Sequence, residues 1–233
     1  MLGPFDYALL VTGFLVEVAV VVCAIYRGNF FRYLPLNLYM ACTALVTLGQ
    51  YLLIRRLGFT SPEYLYTYYY SDSLLTIVLF WVVMHFYQQL FVEMGVRRQI
   101  RLAAMLLLAA TAIFSYAVVH HNRAHLTTRF VVELGQNLYF VGVVLTYLLW
   151  GAILKLRETR TRLIQLVLAL GVYFSATAGT YALRNLFPSL QQHFLHWVPP
   201  VVGLWLPLAW AYTFAMVSEA ARLATARLAV KTR

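Results

Sequence analysis

The sequence predicts an all-α membrane protein that folds as one bundle of seven transmembrane helices. Hydrophobic residues make up 62% of the chain and charged residues only 11%, whereas soluble domains average roughly 45–50% and 25%. Seven apolar stretches follow one another along the 233 residues, each long enough to supply the ~20 residues that cross a bilayer. A chain of this length has room for one bundle and no second domain.

The third stretch shows the pattern most clearly. Leu74–Met84 is an unbroken apolar run with one threonine and no charge. Tyrosines crowd the segment before it, and Arg97, Arg98 and Arg101 follow it. An aromatic belt at one interface and basic residues at the other are typical of a membrane-spanning helix whose basic end lies in the cytoplasm.

The seven predicted spans are separated by short loops. They cover residues 5–26, 34–54, 69–91, 102–119, 130–154, 163–187 and 197–217, and a helical tail follows at 218–233. The first span lacks a basic leader region and a small-residue cleavage site, so we interpret it as a retained helix. Because the loops are short, we expect helices that are consecutive in sequence to be neighbours in space.

The distribution of basic residues predicts the orientation. One side of the membrane receives thirteen: Arg27, Arg32, Arg97, Arg98, Arg101, Lys155, Arg157, Arg160, Arg162, Arg222, Arg227, Lys231 and Arg233. The other receives five: Arg55, Arg56, Arg123, Arg129 and Arg184. The richer side should be cytoplasmic, with the N-terminus outside and the C-terminus inside a bacterial inner membrane. The net charge of +10 then reflects orientation and anionic lipid, not nucleic acid.

Polar residues inside three spans form the main candidate site, because polar groups are costly in lipid and face the interior or water. Helical spacing groups them into faces: Tyr64, Tyr68, Asp72 and Thr76 on span three; Glu133, Gln136 and Asn137 on span five; Thr177, Thr180, Tyr181 and Arg184 on span six. All three faces fall in the outer half of the membrane, so Asp72 and Glu133 are expected to flank Arg184.

Two interpretations of this outer cluster remain open. One is a structural ion pair that fixes helix packing. The other is a pocket that opens outward and binds a small polar ligand, which would make the protein a non-enzymatic sensor, ligand-binding protein or accessory subunit. The second is our main prediction, with no cofactor expected and a partner protein envisaged at the cytoplasmic tail.

Histidines on the outer side suggest an alternative activity. His120, His121 and His125 follow span four, and His193 and His196 precede span seven, three residues apart. With Asp72 or Glu133 they could bind zinc, an arrangement that resembles the metal-dependent seven-helix hydrolases of the ceramidase kind. The chain departs from that family, whose paired histidines are four apart at the cytoplasmic end. Zinc is expected only under this alternative.

Two further polar residues lie deeper in the membrane. Glu17 falls near the middle of span one, and His85 on span three shares a face with Gln88 and Gln89. A contact between Glu17 and His85 could relay protons, and proton relay or transport is a minor alternative. A retinal protein is excluded because its Schiff base needs a lysine in the last helix, and the only lysines are Lys155 and Lys231.

Three short segments resemble those of a known group of proteins. They are FFRYLPLNLY at 30–39, the tyrosine-rich start of span three, and TYALRNLF at 180–187. In these segments and in its hydropathy pattern the chain resembles uncharacterised seven-helix integral membrane proteins of soil bacteria. The resemblance implies the seven-helix architecture and no particular activity.

A ridge of small residues on span six predicts self-association. Gly171, Ser175 and Gly179 are spaced four apart, and such ridges let membrane helices approach closely. At ~100° per residue the ridge lies nearly opposite the polar face of the same span, so it would point towards lipid or a second copy of the chain. The alternative is that it packs against span five or seven of the same chain.

The charge bias leads to a topology test. We expect alkaline phosphatase fused after Arg233 to be inactive, because the cytoplasm keeps the enzyme from folding, and the same enzyme fused at residue 58 to be active in the periplasm. Phosphatase activity of whole cells measures both. An active C-terminal fusion would reverse the orientation.

Overall fold

The parts of the chain that the structure describes are mostly helical. The computed structural model describes residues 4–58, 61–91, 97–120, 126–187 and 198–218. In these ranges the helices are α1 (Pro4–Tyr26), α2 (Leu34–Leu57), α3 (Pro62–Leu90), α4 (Arg97–Val119), α5 (Leu126–Lys155), α6 (Thr161–Leu186) and α7 (Val198–Met216). All seven are long and apolar enough to cross a membrane. The predicted seven-helix architecture is confirmed, and the orientation of the termini stays a prediction.

Helix α3 begins seven residues before the predicted span. Ser61 caps it, its side chain accepting a hydrogen bond from the backbone N–H of Tyr64 at 3.2 Å, and Pro62 occupies the first turn. Serine at the cap and proline just inside it are strong start signals, which hydropathy alone does not register. Helix α3 therefore carries the tyrosines in regular helical spacing. At the other end of the chain, the predicted tail after Ser218 lies outside the described residues.

Helices α3 and α5 run parallel to each other. The Ser73 hydroxyl donates to the carbonyl of Val131 and the Tyr87 hydroxyl to that of Leu145, both at 2.7 Å, and the partners are 58 residues apart in each pair. Because the separation in sequence is the same in both pairs, the two helices run in the same direction. They begin at one end of the bundle, which we call the upper end, and finish at the lower end.

Helices that are consecutive in sequence run antiparallel, as α6 and α7 illustrate. The indole N–H of Trp205 donates to the Ala169 carbonyl at 3.2 Å, and that of Trp210 to the Leu166 carbonyl at 3.3 Å. The later tryptophan of α7 binds the earlier carbonyl of α6, so the two helices run in opposite directions. Helices α1, α3, α5 and α7 therefore all begin at the upper end.

Six helices form a ring, and the fourth stands outside it. Around the ring the order is α1, α2, α3, α5, α6, α7 and back to α1, whereas α4 packs on α5 and only lightly on α3. Sequence neighbours thus do touch, as expected, but α3 packs most closely on α5. The space inside the ring is bordered mainly by α3, α5, α6 and α7.

The core fills the middle of the ring. Fully or almost fully buried side chains from four helices meet there: Leu79, Phe80, Val82, Val83 and Phe86 of α3, Leu138 of α5, Leu166, Leu170 and Phe174 of α6, and Trp210 and Phe214 of α7. Half of the most apolar stretch of α3 is buried inside the protein, the largest share of any helix.

Two arginines hold the lower end of α7. Arg162, only 3% exposed, donates through its guanidinium to the carbonyl of Val217 and stacks over the ring of Phe214 at 5.6 Å. Arg27 donates to the carbonyl of Ala215 at 2.7 Å. Carbonyls at a helix C-terminus lack intrahelical partners and carry partial negative charge, so arginines stabilise them. The hydrogen bonds of Arg27 and Arg162 thus link α7 to the end of α1 and to the start of α6.

The loop between α5 and α6 has its own ion pair. Glu158 and Arg160 form a salt bridge of 2.6 Å, and the Glu158 carboxylate also accepts from the backbone N–H groups of Thr159 and Arg160. The hydrogen bond from the Arg160 side chain is the main reason why the pKa of Glu158 lies below its ordinary value of 4.5. Because Arg27, Glu158, Arg160 and Arg162 are bonded to one another or to backbone, these four residues stabilise the lower end.

The small-residue ridge of α6 is only partly free. A Cβ added at Gly171 would lie 3.8 Å from atoms of Thr146 and Trp150 on α5, whereas at Gly179 it would meet nothing within 4 Å. At Gly171 the ridge packs inside the monomer, and Ser175 between the two glycines is half-buried. Self-association through the ridge stays a prediction.

Helices α5 and α6 are in close contact at Gly142. A Cβ at this position would overlap the ring of Phe174, lying 2.7 Å from its Cζ atom. Because Phe174 is itself 1% exposed, its ring has no free space to move into. We expect Gly142→Ala to lower the stability of the bundle by ~1–3 kcal/mol, measured as a lower melting temperature in detergent.

Gly151 supplies the matched control on the same helix. A Cβ there would meet no atom within 4 Å, so Gly151→Ala should leave stability unchanged or raise it by up to ~1 kcal/mol. Combining Gly142→Ala with Phe174→Leu should recover part of the loss. Equal melting temperatures for both alanine variants would show that the close contact does not constrain the bundle.

Candidate functional site

A cavity of about 370 Å³ opens at the upper end of the ring. Helices α3, α5, α6 and α7 all contribute side chains to it. Its lining comprises Tyr68 and Asp72 of α3, Tyr139 of α5, Tyr173, Thr177, Thr180, Tyr181 and Arg184 of α6, and Pro199, Val202 and Gly203 of α7. The α3, α5 and α6 walls are thus polar and aromatic, and the α7 wall is apolar.

Asp72 is the acidic group of the cavity. Its Oδ1 accepts a hydrogen bond from the Tyr139 hydroxyl at 3.2 Å, and no described residue donates to its second oxygen. The carboxylate is therefore held through one oxygen, and its second oxygen has no described donor.

Tyrosine rings surround this carboxylate. The ring of Tyr139 lies 6.3 Å from that of Tyr173 and 5.7 Å from that of Tyr181, measured between centroids. Tyr68, one turn before Asp72 on α3, completes the wall and packs against Tyr64 at 6.3 Å. Electron-rich ring faces and phenol oxygens next to a carboxylate make this part of the cavity attractive to a cation.

Two threonine hydroxyls of α6 have their protons directed away from the cavity. Thr177 donates to the Tyr173 carbonyl at 2.8 Å and Thr180 to the Ala176 carbonyl at 2.7 Å. A hydroxyl that donates to its own helix keeps its lone pairs for a partner. On the cavity side both residues therefore act as hydrogen-bond acceptors.

Arg184 is the basic group of the cavity and lies near its mouth. It stands two residues before the end of α6, and its side chain is exposed. The expected ion pair is not formed: among described residues, neither Asp72 nor Glu133 lies within the 4.0 Å of a salt bridge with it. Asp72 is bound by Tyr139 instead, and Glu133 lines a different surface.

Of the predicted site residues, those on α3 and α6 come together and those on α5 do not. The cavity gathers Tyr68, Asp72, Thr177, Thr180, Tyr181 and Arg184. Thr76, 2% exposed, lies beneath it and donates to the Asp72 backbone carbonyl at 2.8 Å. The three polar residues predicted on α5 face other neighbours.

The polar face of α5 points towards α4. Asn137 donates to the Ser115 hydroxyl of α4 at 3.0 Å. Glu133 lines a separate, more open depression together with Arg129 and residues at the end of α4. Gln136 is half-buried and belongs to the lining of neither. Helical spacing correctly placed these residues on one face of α5, but in the bundle that face points towards α4 and not into the cavity.

Sequence reasoning missed two tyrosines and the α7 wall. Tyr173 lies four residues before Thr177, on the face already identified, so the spacing alone could have found it. Tyr139 carries no comparable signal, because a tyrosine in an apolar span is more often a packing residue. Pro199, Val202 and Gly203 have no polar atom in their side chains, and only the fold brings them here.

The mid-membrane pair Glu17 and His85 is not formed either. Glu17, 7% exposed, accepts a hydrogen bond from Thr47 of α2 at 3.3 Å. His85 Nε2 lies 3.0 Å from the backbone carbonyl of Arg32 and 2.8 Å from the side-chain nitrogen of Gln89. The expected shared face of His85 and Gln89 is present, and it binds the loop before α2. Each residue thus joins α2 or its loop to a neighbour.

The zinc alternative rests mostly on residues that the structure does not describe. His121, His125, His193 and His196 lie outside the described residues. His120 directly follows α4 and is exposed, with its ring 5.4 Å from that of Tyr116. Within the described ranges no three metal-ligating side chains gather in one place, so the zinc site stays a prediction.

No protein-family model, curated protein or solved structure matches the chain.

The Tyr139 hydroxyl offers a direct test of the site's construction. Because it binds a carboxylate, we expect Tyr139→Phe to lower stability by ~1.5–3 kcal/mol, seen as a lower melting temperature in detergent. Tyr147→Phe is the control, since Tyr147 lies on the same helix with 64% of its surface exposed and should change stability by less than ~0.5 kcal/mol. Indistinguishable effects would mean that Tyr139 does not hold Asp72.

Proposed function

We propose that the protein is a non-enzymatic membrane protein that binds a small polar ligand in the upper cavity and acts as a sensor, binding protein or accessory subunit. One observation carries the proposal: an aspartate, an arginine and several hydroxyl groups from three helices converge on one cavity without pairing Asp72 to Arg184. Charged side chains at this depth are expensive in lipid, and structural ones are normally paired with each other.

The form of the cavity fits recognition of a small molecule. Ligand sites are typically clefts of roughly 300–1,000 Å³ with an apolar wall and a few convergent polar groups, and this cavity lies near the lower limit at about 370 Å³. Its charged groups sit at different depths, with Asp72 deep and Arg184 at the exposed mouth. They are available to a bound molecule.

The distribution of basic residues supports an outward-facing cavity in a bacterial inner membrane. Among the basic residues that the structure describes, four lie at the upper end and nine at the lower end. The positive-inside rule then assigns the lower end to the cytoplasm. The ligand would come from outside the cell, and a response would reach partners through the cytoplasmic tail.

Thiol labelling in intact cells tests this proposal. In a chain with Cys23 and Cys42 replaced by alanine, Thr180→Cys should react with a membrane-impermeant maleimide, because Thr180 lines the open cavity. Thr146→Cys, at a fully buried position near the lower half of α5, should not react. The ligand-binding role further predicts that some small polar solutes slow the reaction at Thr180 and leave an exposed control, Tyr66→Cys, unaffected.

Two results would contradict the proposal. Labelling of Thr180→Cys only after the membrane is permeabilised would place the cavity on the cytoplasmic side. Equal labelling in the presence of every solute of a broad polar panel would remove the binding role while leaving the orientation intact.

A further inference from the structure

We propose that the ligand of the upper cavity is a small zwitterion, with its ammonium group at Asp72 among the tyrosines and its carboxylate at Arg184. This inference rests on the proposed function and specifies the chemistry of its ligand. It follows from the unequal distribution of acceptors and donors over the depth of the cavity.

Asp72 and two threonines present hydrogen-bond acceptors to the cavity. Asp72 has one oxygen free of described hydrogen bonds, and the hydroxyls of Thr177 and Thr180 donate to their own helix and present lone pairs. An ammonium group is a pure donor with three N–H bonds. It can bind the carboxylate through a charge-assisted hydrogen bond, and the threonine oxygens supply acceptors for its remaining protons.

The tyrosines add a second attraction for a cation. Tyr68, Tyr139, Tyr173 and Tyr181 all line the cavity around Asp72, and centroid distances of 5.7–6.3 Å from Tyr139 to its two α6 neighbours show one continuous aromatic wall. A cation close to a tyrosine face is attracted by the ring quadrupole, most strongly when the cation is desolvated. A neutral or anionic head group would gain nothing comparable here.

The mouth of the cavity favours an anionic group. Arg184 is the one cationic side chain in the described lining, and its guanidinium fork matches a carboxylate bidentately. Between Arg184 and the deep aspartate, the α7 wall offers Val202, Gly203 and Pro199, which suit a short hydrocarbon spacer. The volume of about 370 Å³ suits a small molecule. Small amino acids match all these features.

Three compounds that share one carbon skeleton separate the contributions. They are 4-aminobutyrate with both charges, butylamine with the cation alone and butyrate with the anion alone. Each is added at millimolar concentration to the purified full chain in detergent, and the melting temperature is measured. We expect the largest rise with 4-aminobutyrate, a smaller one with butylamine and the smallest with butyrate, because a ligand stabilises the state that binds it.

Substitutions assign the two charged subsites. Asp72→Asn should weaken binding of 4-aminobutyrate and butylamine alike, by about tenfold or more. Arg184→Gln should reduce the affinity for 4-aminobutyrate to that for butylamine and leave butylamine unchanged. Because Arg184 is exposed, this variant is expected to fold as the parent does and carries the test even if Asp72→Asn does not. Glu133→Gln, in the separate depression, is the control and should change neither.

The results that would overturn the inference are distinct from those that would overturn the binding role. If butyrate stabilises as strongly as 4-aminobutyrate, or if none of the three compounds raises the melting temperature, the ligand is not a small zwitterion. Outward labelling at Thr180→Cys with protection by other solutes would then still support a ligand-binding cavity. Loss of that labelling would instead remove the proposed function itself.

Discussion

The contact between Phe174 and the backbone of α5 at Gly142 sets the geometry on which the rest of the upper half depends. With no side chain at Gly142, the aromatic ring of α6 lies directly on α5. One turn above this contact, Tyr139 lies 6.2 Å from Phe174 between ring centroids and reaches across to Asp72. A side chain at Gly142 would push α5 and α6 apart and change the packing of Tyr139 against Phe174.

The parallel pairing of α3 with α5 is secured in a way that suits a lipid environment. Ser73 and Tyr87 each place a hydroxyl on a backbone carbonyl of α5, two hydrogen bonds almost four turns apart. In hydrocarbon no water competes for these groups, and interhelical hydrogen bonds contribute alongside close packing of small residues. Helix α3 thus meets α5 along most of its length, and α4, which follows it in sequence, is displaced to the outside of the ring.

The sequence could predict the helices and about half of the candidate site. The other half could not be predicted, for one physical reason. A period of 3.6 residues relates side chains within one helix, so Thr177, Tyr181 and Arg184 were correctly placed on one face. It does not say which neighbour that face meets. Asn137 and Glu133 were assigned to the same cavity because they lie at a similar depth, yet they face α4 and the outer depression.

The charged residues described at the two ends of the bundle are bonded differently. At the lower end, Arg27 and Arg162 bind carbonyls of α7 and Arg160 binds Glu158, so each cation stabilises a helix end or a loop. At the upper end, Asp72 and Arg184 line one cavity without forming a salt bridge with each other. Inside a membrane protein such an arrangement costs stability unless a ligand or water solvates the charges. A molecule that carries both charges would satisfy the two residues together.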